Sequence, residues 1–154
     1  MPNWCENRVG IYGKEKDIKA FKEKAIKDGE FEFQNLIPIP EELLSTTKGY
    51  REGLGNTWIT DKDGNEIEIP ESKLQEWKDK YGATNWYDFC CNKWGTKWDV
   101  DAQIEDEDSE QITLRFETAW GPAEGICDYI RENFPELNVS WFYDEPGNEI
   151  AGYL

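Results

Sequence analysis

The sequence predicts an α+β fold in which two helices cover one face of an antiparallel sheet. Several short stretches alternate apolar and polar residues, as half-buried strands do. Two longer stretches repeat apolar residues every three or four positions, as amphipathic helices do. The chain has 154 residues, enough for one ordinary domain, and its 8 Trp, 7 Tyr and 7 Phe indicate an aromatic core.

The first strand and the first helix are predicted at the beginning of the chain. Residues 7–13 alternate, with Val9 and Ile11 on one face of the strand. A helix follows over about residues 14–28, and Gly29 is predicted to stop it. The apolar stripe of this helix consists of Ile18, Phe21 and Ala25, with Ile26 beside it.

A hairpin, a second helix and a further strand are predicted in the last third of the chain. The hairpin spans residues 100–120 and turns at the acidic segment 106–110. Its apolar positions are Val100, Ala102, Ile104, Ile112, Leu114 and Phe116. The helix opens at Gly121-Pro122, and its apolar stripe is Ala123, Ile126, Cys127, Ile130 and Phe134. A strand over residues 137–143 and a short return strand over residues 149–154 follow.

The order strand, helix, strand, strand, helix, strand is that of the split βαβ, or ferredoxin-like, arrangement. Its crossovers are expected to be right-handed, and its first and third strands to be central. We therefore predict a single ferredoxin-like domain over residues 1–154, with a large insertion over about residues 30–97 between the first helix and the second strand. The insertion is too long for a loop and must carry its own structure.

Within the insertion, the sequence predicts one hairpin and two helices. The hairpin covers residues 58–69 and turns at Asp63-Gly64. The helices cover about residues 71–81 and 85–93, and Thr84 is the predicted N-cap of the second.

The net charge of 17 − 33 = −16 restricts the class of partner. Repulsion on this scale disfavours nucleic acid and anionic membranes, and it favours a protein partner with a basic surface. Two interpretations of the charge remain open: the simpler is a solvated acidic coat, and the more specific is an acidic surface that imitates nucleic acid towards a basic protein.

The absence of histidine restricts the chemistry further. Ser–His and Cys–His nucleophile pairs and His-ligated zinc are excluded, and the spacing of the four cysteines fits no zinc or disulfide framework. The segment 61–65 has its glycine too early for a calcium loop and is predicted to be a turn. Asp99 and Asp101 come closest to a paired carboxylate site but are expected to face solvent on a strand. We therefore expect no enzyme activity, no cofactor and no metal.

A long apolar run and a basic-then-apolar beginning are both missing from the sequence. This pattern predicts a cytoplasmic protein.

The segment 94–98, WGTKW, is the first candidate ligand site. Two indoles beside a lysine could stack on a base or ring and meet an anion. Alternatively, Trp94 and Trp98 pack the insertion against the sheet while Lys97 is solvated.

The second sheet face is the other candidate. It would display Arg8, Tyr12, Arg115, Glu117, Asn138, Ser140 and Phe142. Sheets of this topology often bind nucleic acid there through aromatic residues, but the centre of this one is charged. We expect the insertion to cover much of the face, so that Arg115 and Glu117 form a semi-buried polar cluster.

Three stretches place Trp beside turn-forming residues: PNWCENR at 2–8, WGTKWD at 94–99 and TAWGP at 118–122. Together with LIPIPEEL at 36–43, NWYD at 85–88 and EPGNE at 145–149, they resemble the YubB-like family of ferredoxin-like proteins. That family is encoded by phages, plasmids and integrated elements. The resemblance implies a mobile-element protein in the cytoplasm of a bacterial host, and it implies no activity, cofactor or catalytic residue.

These observations predict a non-catalytic, acidic protein-interaction module with a basic protein partner. The alternative is binding of a small ligand or single-stranded nucleic acid in a Trp-lined cleft. The candidate ligand-binding residues are Arg8, Tyr12, Trp94, Lys97, Trp98, Arg115, Glu117 and Trp120.

Overall fold

The computed structural model describes residues 1–154 and shows a mixed α/β chain with antiparallel sheets. The strands are β1 (Trp4–Tyr12), β2 (Ile26–Lys27), β3 (Glu30–Phe31), β4 (Thr46–Arg51), β5 (Gly55–Thr60), β6 (Glu66–Glu68), β7 (Gln103–Glu107), β8 (Gln111–Ala119), β9 (Asn138–Glu145) and β10 (Ile150–Tyr153). The helices are α1 (Glu15–Ala25), α2 (Phe33–Leu36), α3 (Glu41–Leu44), α4 (Glu71–Tyr81), α5 (Trp86–Lys93) and α6 (Glu124–Asn133). None of these helices has both the length and the apolar character that a membrane span requires.

The chain forms two compact units. One combines Met1–Pro38 with Trp94–Leu154, and we call it the sheet unit. The other is Ile39–Lys93, and we call it the inserted unit. In sequence, the inserted unit lies within the segment 30–97 that is predicted as the insertion.

The sheet unit is built on a five-stranded sheet in the order β10-β9-β1-β8-β7. β1 pairs antiparallel with β8 on one side and with β9 on the other, so the first and third strands of the predicted series are central. This order is consistent with a ferredoxin-like domain. β10 pairs with β9 and confirms the predicted short return strand.

The predicted alternation places one face of the central strands in the core. Its buried side chains are Cys5, Asn7, Val9 and Ile11 in β1, Ile112, Leu114, Phe116 and Thr118 in β8, and Trp141 in β9. The buried stripes of the helices are Ile18, Phe21 and Ala25 in α1 and Ile126, Cys127 and Ile130 in α6. The ring of Phe116 meets those of Phe33 and Trp141 edge to face, with centroids 5.5 and 5.6 Å away. Each such pair adds about 0.5–1.5 kcal/mol beyond the area that it buries.

The buried side chain of Asn7 interrupts this apolar face. Its amide nitrogen donates to Thr118 Oγ1 at 2.8 Å and to the Cys5 carbonyl at 3.0 Å. Its amide oxygen accepts from Trp141 Nε1 at 2.9 Å. The cost of burying the amide is therefore offset by a hydrogen bond at both of its polar atoms.

We expect Asn7→Ala to lower the free energy of unfolding by about 1–3 kcal/mol, because Trp141 Nε1 would stay buried without an acceptor. Urea unfolding followed by circular dichroism measures the change. Asn133→Ala, at an exposed position at the end of α6, is the control and should change the stability much less. If both substitutions lower the stability equally, the hydrogen bonds of the buried Asn7 side chain do not stabilise the core as described.

Both long helices of the sheet unit are shorter than predicted. α1 ends at Ala25, because Asp28 and Gly29 have φ angles of 52° and 80° and form the two-residue turn between β2 and β3. α6 begins at Glu124 rather than at Pro122, because Ala123 keeps a non-helical ψ of 72°. The prediction that proline occupies the first position of this helix is wrong.

The strand predicted from Val100 begins later, at Gln103. The carboxylate of Asp99 accepts hydrogen bonds from the backbone N–H groups of Phe33 at 2.7 Å and Gln34 at 3.0 Å, at the start of α2. It also accepts from Val100 N at 2.9 Å. These bonds hold residues 99–100 away from β8, so Asp99 is not the strand residue that we expected.

The inserted unit contains a three-stranded sheet in the order β4-β5-β6 and the two predicted helices, α4 and α5. The turn between β5 and β6 lies at Asp63-Gly64 as predicted, and Asp61 Oδ1 accepts from the N–H groups of Asp63 and Asn65. β4 was not predicted. The cap of α5 is Asn85 rather than Thr84, because Asn85 Oδ1 accepts from Asp88 N at 2.8 Å.

Cysteine reactivity provides a second test of the core. Cys5, Cys90 and Cys127 are buried, and Cys91 is partly exposed. Burial raises the pKa of Cys5 to about 11 and raises that of Cys127, so both thiols stay protonated at mildly alkaline pH. We expect a thiol reagent followed by mass spectrometry to modify Cys91 first and the other three only after denaturation. Native labelling of Cys5 as fast as that of Cys91 would contradict this packing.

Candidate functional site

The three Trp-containing stretches converge at one end of the five-stranded sheet. Trp4 lies opposite Ala119 in the register of β1 and β8, and Trp120 N donates to the Asn3 carbonyl at 2.8 Å. The hydroxyl of Thr96 donates to the Ala119 carbonyl at 3.2 Å, which holds the second stretch against the third. Hydrogen bonds between residues far apart in sequence thus hold the three stretches together.

The four indoles of these stretches fall into two groups. Trp94 is 1% exposed, its ring meets Phe33 edge to face, and its Nε1 donates to the Ile37 carbonyl at 2.8 Å. In contrast, Trp4, Trp98 and Trp120 are 43%, 41% and 52% exposed. Trp94 is therefore part of the core, and the structure does not bring it into a common cleft with Trp98.

Trp98 instead lies against Trp4. Their ring centroids are 6.0 Å apart at an interplanar angle of 36°. Lys97 Nζ lies 4.2 Å from the ring centroid of Trp98, so this indole already carries a cation on its face. No such cation–π contact is made by Trp4.

The open sheet face next to Trp4 carries an ion-pair chain centred on Glu6. Arg8 Nε donates to Glu6 Oε1 at 2.6 Å, and Arg115 Nη2 donates to Glu6 Oε2 at 2.7 Å. Arg115 Nη1 also lies 3.7 Å from Glu105 Oε1. The hydrogen bond from Arg115 is the main cause that lowers the pKa of Glu6, so this carboxylate stays ionised under mildly acidic conditions.

Glu117 is an unpaired carboxylate of this face, as is Asp144, which lies opposite Glu6 on the β9 side. Glu117 stands directly opposite Glu6 in the register of β1 and β8, and it makes no hydrogen bond or ion pair. Like charges at directly opposite positions of a sheet destabilise the pairing. The two arginines pair with Glu6, and neither pairs with Glu117.

A cleft of about 570 Å³ opens beside these side chains, and we call it the acidic cleft. It is lined by Trp4, Glu6, Asp99, Val100, Asp101, Gln103, Arg115, Phe116 and Glu117. Four carboxylates and one guanidinium therefore line it. The carboxylate of Asp99 already accepts hydrogen bonds from the backbone of α2, and that of Glu6 pairs with two arginines. Asp101 and Glu117 are therefore free to meet a ligand.

A second cleft of about 400 Å³ lies on the same sheet face, and we call it the aromatic cleft. It is lined by Arg8, Gly10, Tyr12, Thr113, Ser140, Phe142 and Tyr153. The rings of Phe142 and Tyr153 are 5.2 Å apart, and the ring of Tyr12 folds back over Gly10. A Cβ at position 10 would lie 2.5 Å from the Tyr12 hydroxyl, so a side chain there would displace the Tyr12 ring.

The structure brings together only some of the predicted site residues. Arg115 and Glu117 line the acidic cleft, and Arg8 and Tyr12 line the aromatic cleft. Lys97, Trp98 and Trp120 belong to the stretches at the Trp4 end of the sheet but line neither cleft. The expected semi-buried cluster of Arg115 and Glu117 is wrong, because both are exposed and Arg115 pairs with Glu6 instead.

Several residues that line the two clefts are not among the predicted ligand-binding residues, namely Trp4, Glu6, Asp101, Gln103 and Tyr153. Trp4 and Glu6 share the face of Arg8 at two-residue spacing, so the alternation of β1 contained the signal for both. Asp101 lies in an irregular segment, and its place depends on the long-range bonds of Asp99. The spacing of Asp99 and Asp101 marks a carboxylate pair, but it does not reveal that only Asp101 stays free.

Comparisons with known proteins agree with this fold. Residues 93–154 match the family model described as the ferredoxin-like domain in Api92-like protein. The crystal structure of a protein api92 from Yersinia pseudotuberculosis superposes with a TM-score of 0.53 at 12% identity, over 99% of this chain and 93% of that chain. No curated protein matches the chain. At this identity the likeness shows the fold alone, and the C-terminal part of the chain is a match to the ferredoxin-like domain of Api92-like proteins.

Proposed function

We propose that the chain is a non-catalytic interaction module that binds a basic segment of a protein partner in the acidic cleft. The observation that carries the proposal is Glu117, an unpaired carboxylate opposite Glu6 in a cleft with four carboxylates and one guanidinium. A lysine or arginine of the partner would supply the cation that this side chain lacks. The net charge of −16 favours the same class of partner over longer distances.

Trp4 gives the cleft a second means of holding a cation. Its indole lines the cleft and is exposed, while the neighbouring Trp98 already holds Lys97 on its face. A guanidinium that enters between Trp4 and Glu117 could stack on the indole and pair with the carboxylate at once. This combination favours arginine over lysine, because only the planar guanidinium makes both contacts well.

Binding of a small ligand or single-stranded nucleic acid remains the alternative. The exposed Trp4–Trp98 pair favours it, since an indole can stack on any base. The carboxylates of the cleft oppose it, because they would repel a phosphate backbone.

The proposed setting is the cytoplasm of a bacterial host, with a protein encoded by a phage, plasmid or integrated element. The resemblance of the three Trp stretches to the YubB-like family supports this setting. A host or element-encoded protein with a basic surface would then be the partner.

Fluorescence anisotropy with labelled probes tests the proposed function. The probes are an arginine-containing peptide, the same peptide with glutamate in place of arginine, and an oligothymidylate. We expect only the arginine peptide to bind, and we expect salt to weaken its binding because the contacts are electrostatic. Binding of the oligothymidylate alone would support the alternative, and binding of neither arginine peptide nor oligothymidylate would overturn both.

Charge-removing variants locate the site. We expect Glu117→Gln to weaken binding of the arginine peptide about two- to five-fold, the range for loss of a solvent-exposed ion pair. Asp101→Asn should act in the same direction. Glu132→Gln removes an equal charge from an exposed position on α6 and is the matched control. If the control weakens binding as much as Glu117→Gln does, the loss of binding reflects the overall charge, and the acidic cleft is not the site.

A further inference from the structure

We propose that the acidic cleft and the aromatic cleft together bind one extended peptide, with an arginine in the first and an aromatic residue four positions away in the second. The inference rests on the proposed function and adds to it the sequence pattern of the partner. Its starting point is that both clefts open on the same face of the five-stranded sheet and share β1 as a wall.

The chemistry of the aromatic cleft differs from that of its neighbour. No carboxylate lines it, and three rings do: Tyr12, Phe142 and Tyr153. The phenol groups of Tyr12 and Tyr153 make no hydrogen bond within the protein, and the two residues are 44% and 72% exposed. Exposed rings with free polar tips are typical of protein-binding surfaces, where the ring packs on an apolar side chain and the hydroxyl meets the partner's backbone.

Arg8 lies between the two clefts on β1, and it helps to assign a different side chain of the partner to each cleft. Its side chain lines the aromatic cleft, while its guanidinium is turned towards Glu6 in the acidic cleft. The aromatic cleft itself offers no carboxylate with which a basic residue of the partner could pair. The partner's arginine and its aromatic residue are therefore assigned to different clefts.

The geometry of the sheet sets the spacing. Glu6 lines the first cleft and Gly10 lines the second, four residues further along β1, a separation of about 14 Å at roughly 3.4 Å per residue. The cleft residues also spread sideways, because Glu117 in β8 and Phe142 in β9 lie two strands apart, about 9.6 Å, so the separation rises to about 17 Å. The backbone of an extended peptide covers about 14 Å of it in four residues, and the long arginine side chain spans the rest. Because side chains alternate along an extended chain, residues four apart also point to the same side.

A set of labelled peptides tests the spacing. One peptide carries arginine alone, and the others add phenylalanine two, three, four or six residues away. We expect the four-residue peptide to bind about ten-fold tighter than the peptide with arginine alone, a gain that corresponds to the burial of part of one ring. The three-residue peptide should show no gain, since its phenylalanine points away from the sheet.

Two matched variants separate this inference from the proposed function. Tyr153→Ser, at a position 72% exposed, should abolish the gain from phenylalanine and leave the binding of the arginine peptide unchanged. Tyr50→Ser, at a position 80% exposed in the inserted unit, should change neither. If phenylalanine adds nothing at any spacing, or adds equally at all spacings, the inference is overturned while the proposed function stands. If the arginine peptide itself does not bind, the proposed function fails first.

Discussion

Replacing Trp94 with alanine is expected to lower the free energy of unfolding of the sheet unit by about 3–5 kcal/mol, the range for removal of a buried Trp. The indole is almost fully enclosed, and its ring meets Phe33. The substitution also removes the hydrogen bond from Nε1 to the Ile37 carbonyl and leaves that acceptor without its partner. Urea unfolding followed by far-ultraviolet circular dichroism measures the loss as a lower midpoint.

Trp98→Ala is the matched control, because it removes the same side chain four residues away in the same stretch. Trp98 is exposed and contacts chiefly Trp4 and Lys97, so its removal should cost much less, about 1 kcal/mol. Equal costs for the two substitutions would mean that Trp94 does not lie in the core as described.

The second large effect is expected from Gly95→Ala. Gly95 has a φ of 88°, a conformation that costs a residue with a side chain about 1–3 kcal/mol. A Cβ at this position would also lie 2.9 Å from Glu124 N and 3.3 Å from Gly125 N, both backbone atoms at the start of α6. Since backbone cannot rotate away, overpacking adds about 1–3 kcal/mol, for a total of roughly 2–6 kcal/mol.

Gly29→Ala isolates the contribution of the backbone angle. Gly29 has a similar φ of 80°, but nothing lies within 4 Å of a Cβ built there. We expect Gly29→Ala to lower the free energy of unfolding only by the cost of placing a side chain at a positive φ. Gly95→Ala should lower it clearly more in the same unfolding experiment. If the two variants unfold at the same urea concentration, the close approach of Gly95 to α6 is not a real constraint.

The sequence predicts most of the sheet unit because its strands and helices carry strong local periodicity. The alternation in β1 and β8 assigns Val9 and Leu114 to the core and Arg8 and Arg115 to the open face. The boundaries are less predictable where distant residues set them. β7 starts late because Asp99 binds the beginning of α2, 65 residues away along the chain from Gln34.

The candidate site is harder to predict for the same reason. Nothing local distinguishes Trp94 from Trp98, yet the turn at Gly95 buries one and exposes the other. The opposition of Glu6 and Glu117 follows from the register of two strands that lie more than a hundred residues apart in sequence. Periodicity determines which face a side chain is on, but it does not determine its cross-strand neighbour.

The buried Asn7 has a consequence for how the central strands align. A slip of β1 by two residues against its neighbours would keep every side chain on its proper face, so apolar burial alone penalises it weakly. Such a slip would separate the amide from both Thr118 and Trp141 and leave the Asn7 amide oxygen and Trp141 Nε1 buried without partners. One buried polar side chain thus disfavours the slipped pairing of β1, although apolar burial alone would allow it. Replacing Asn7 with an apolar residue of similar size would therefore reduce the uniqueness of the native alignment as well as the stability.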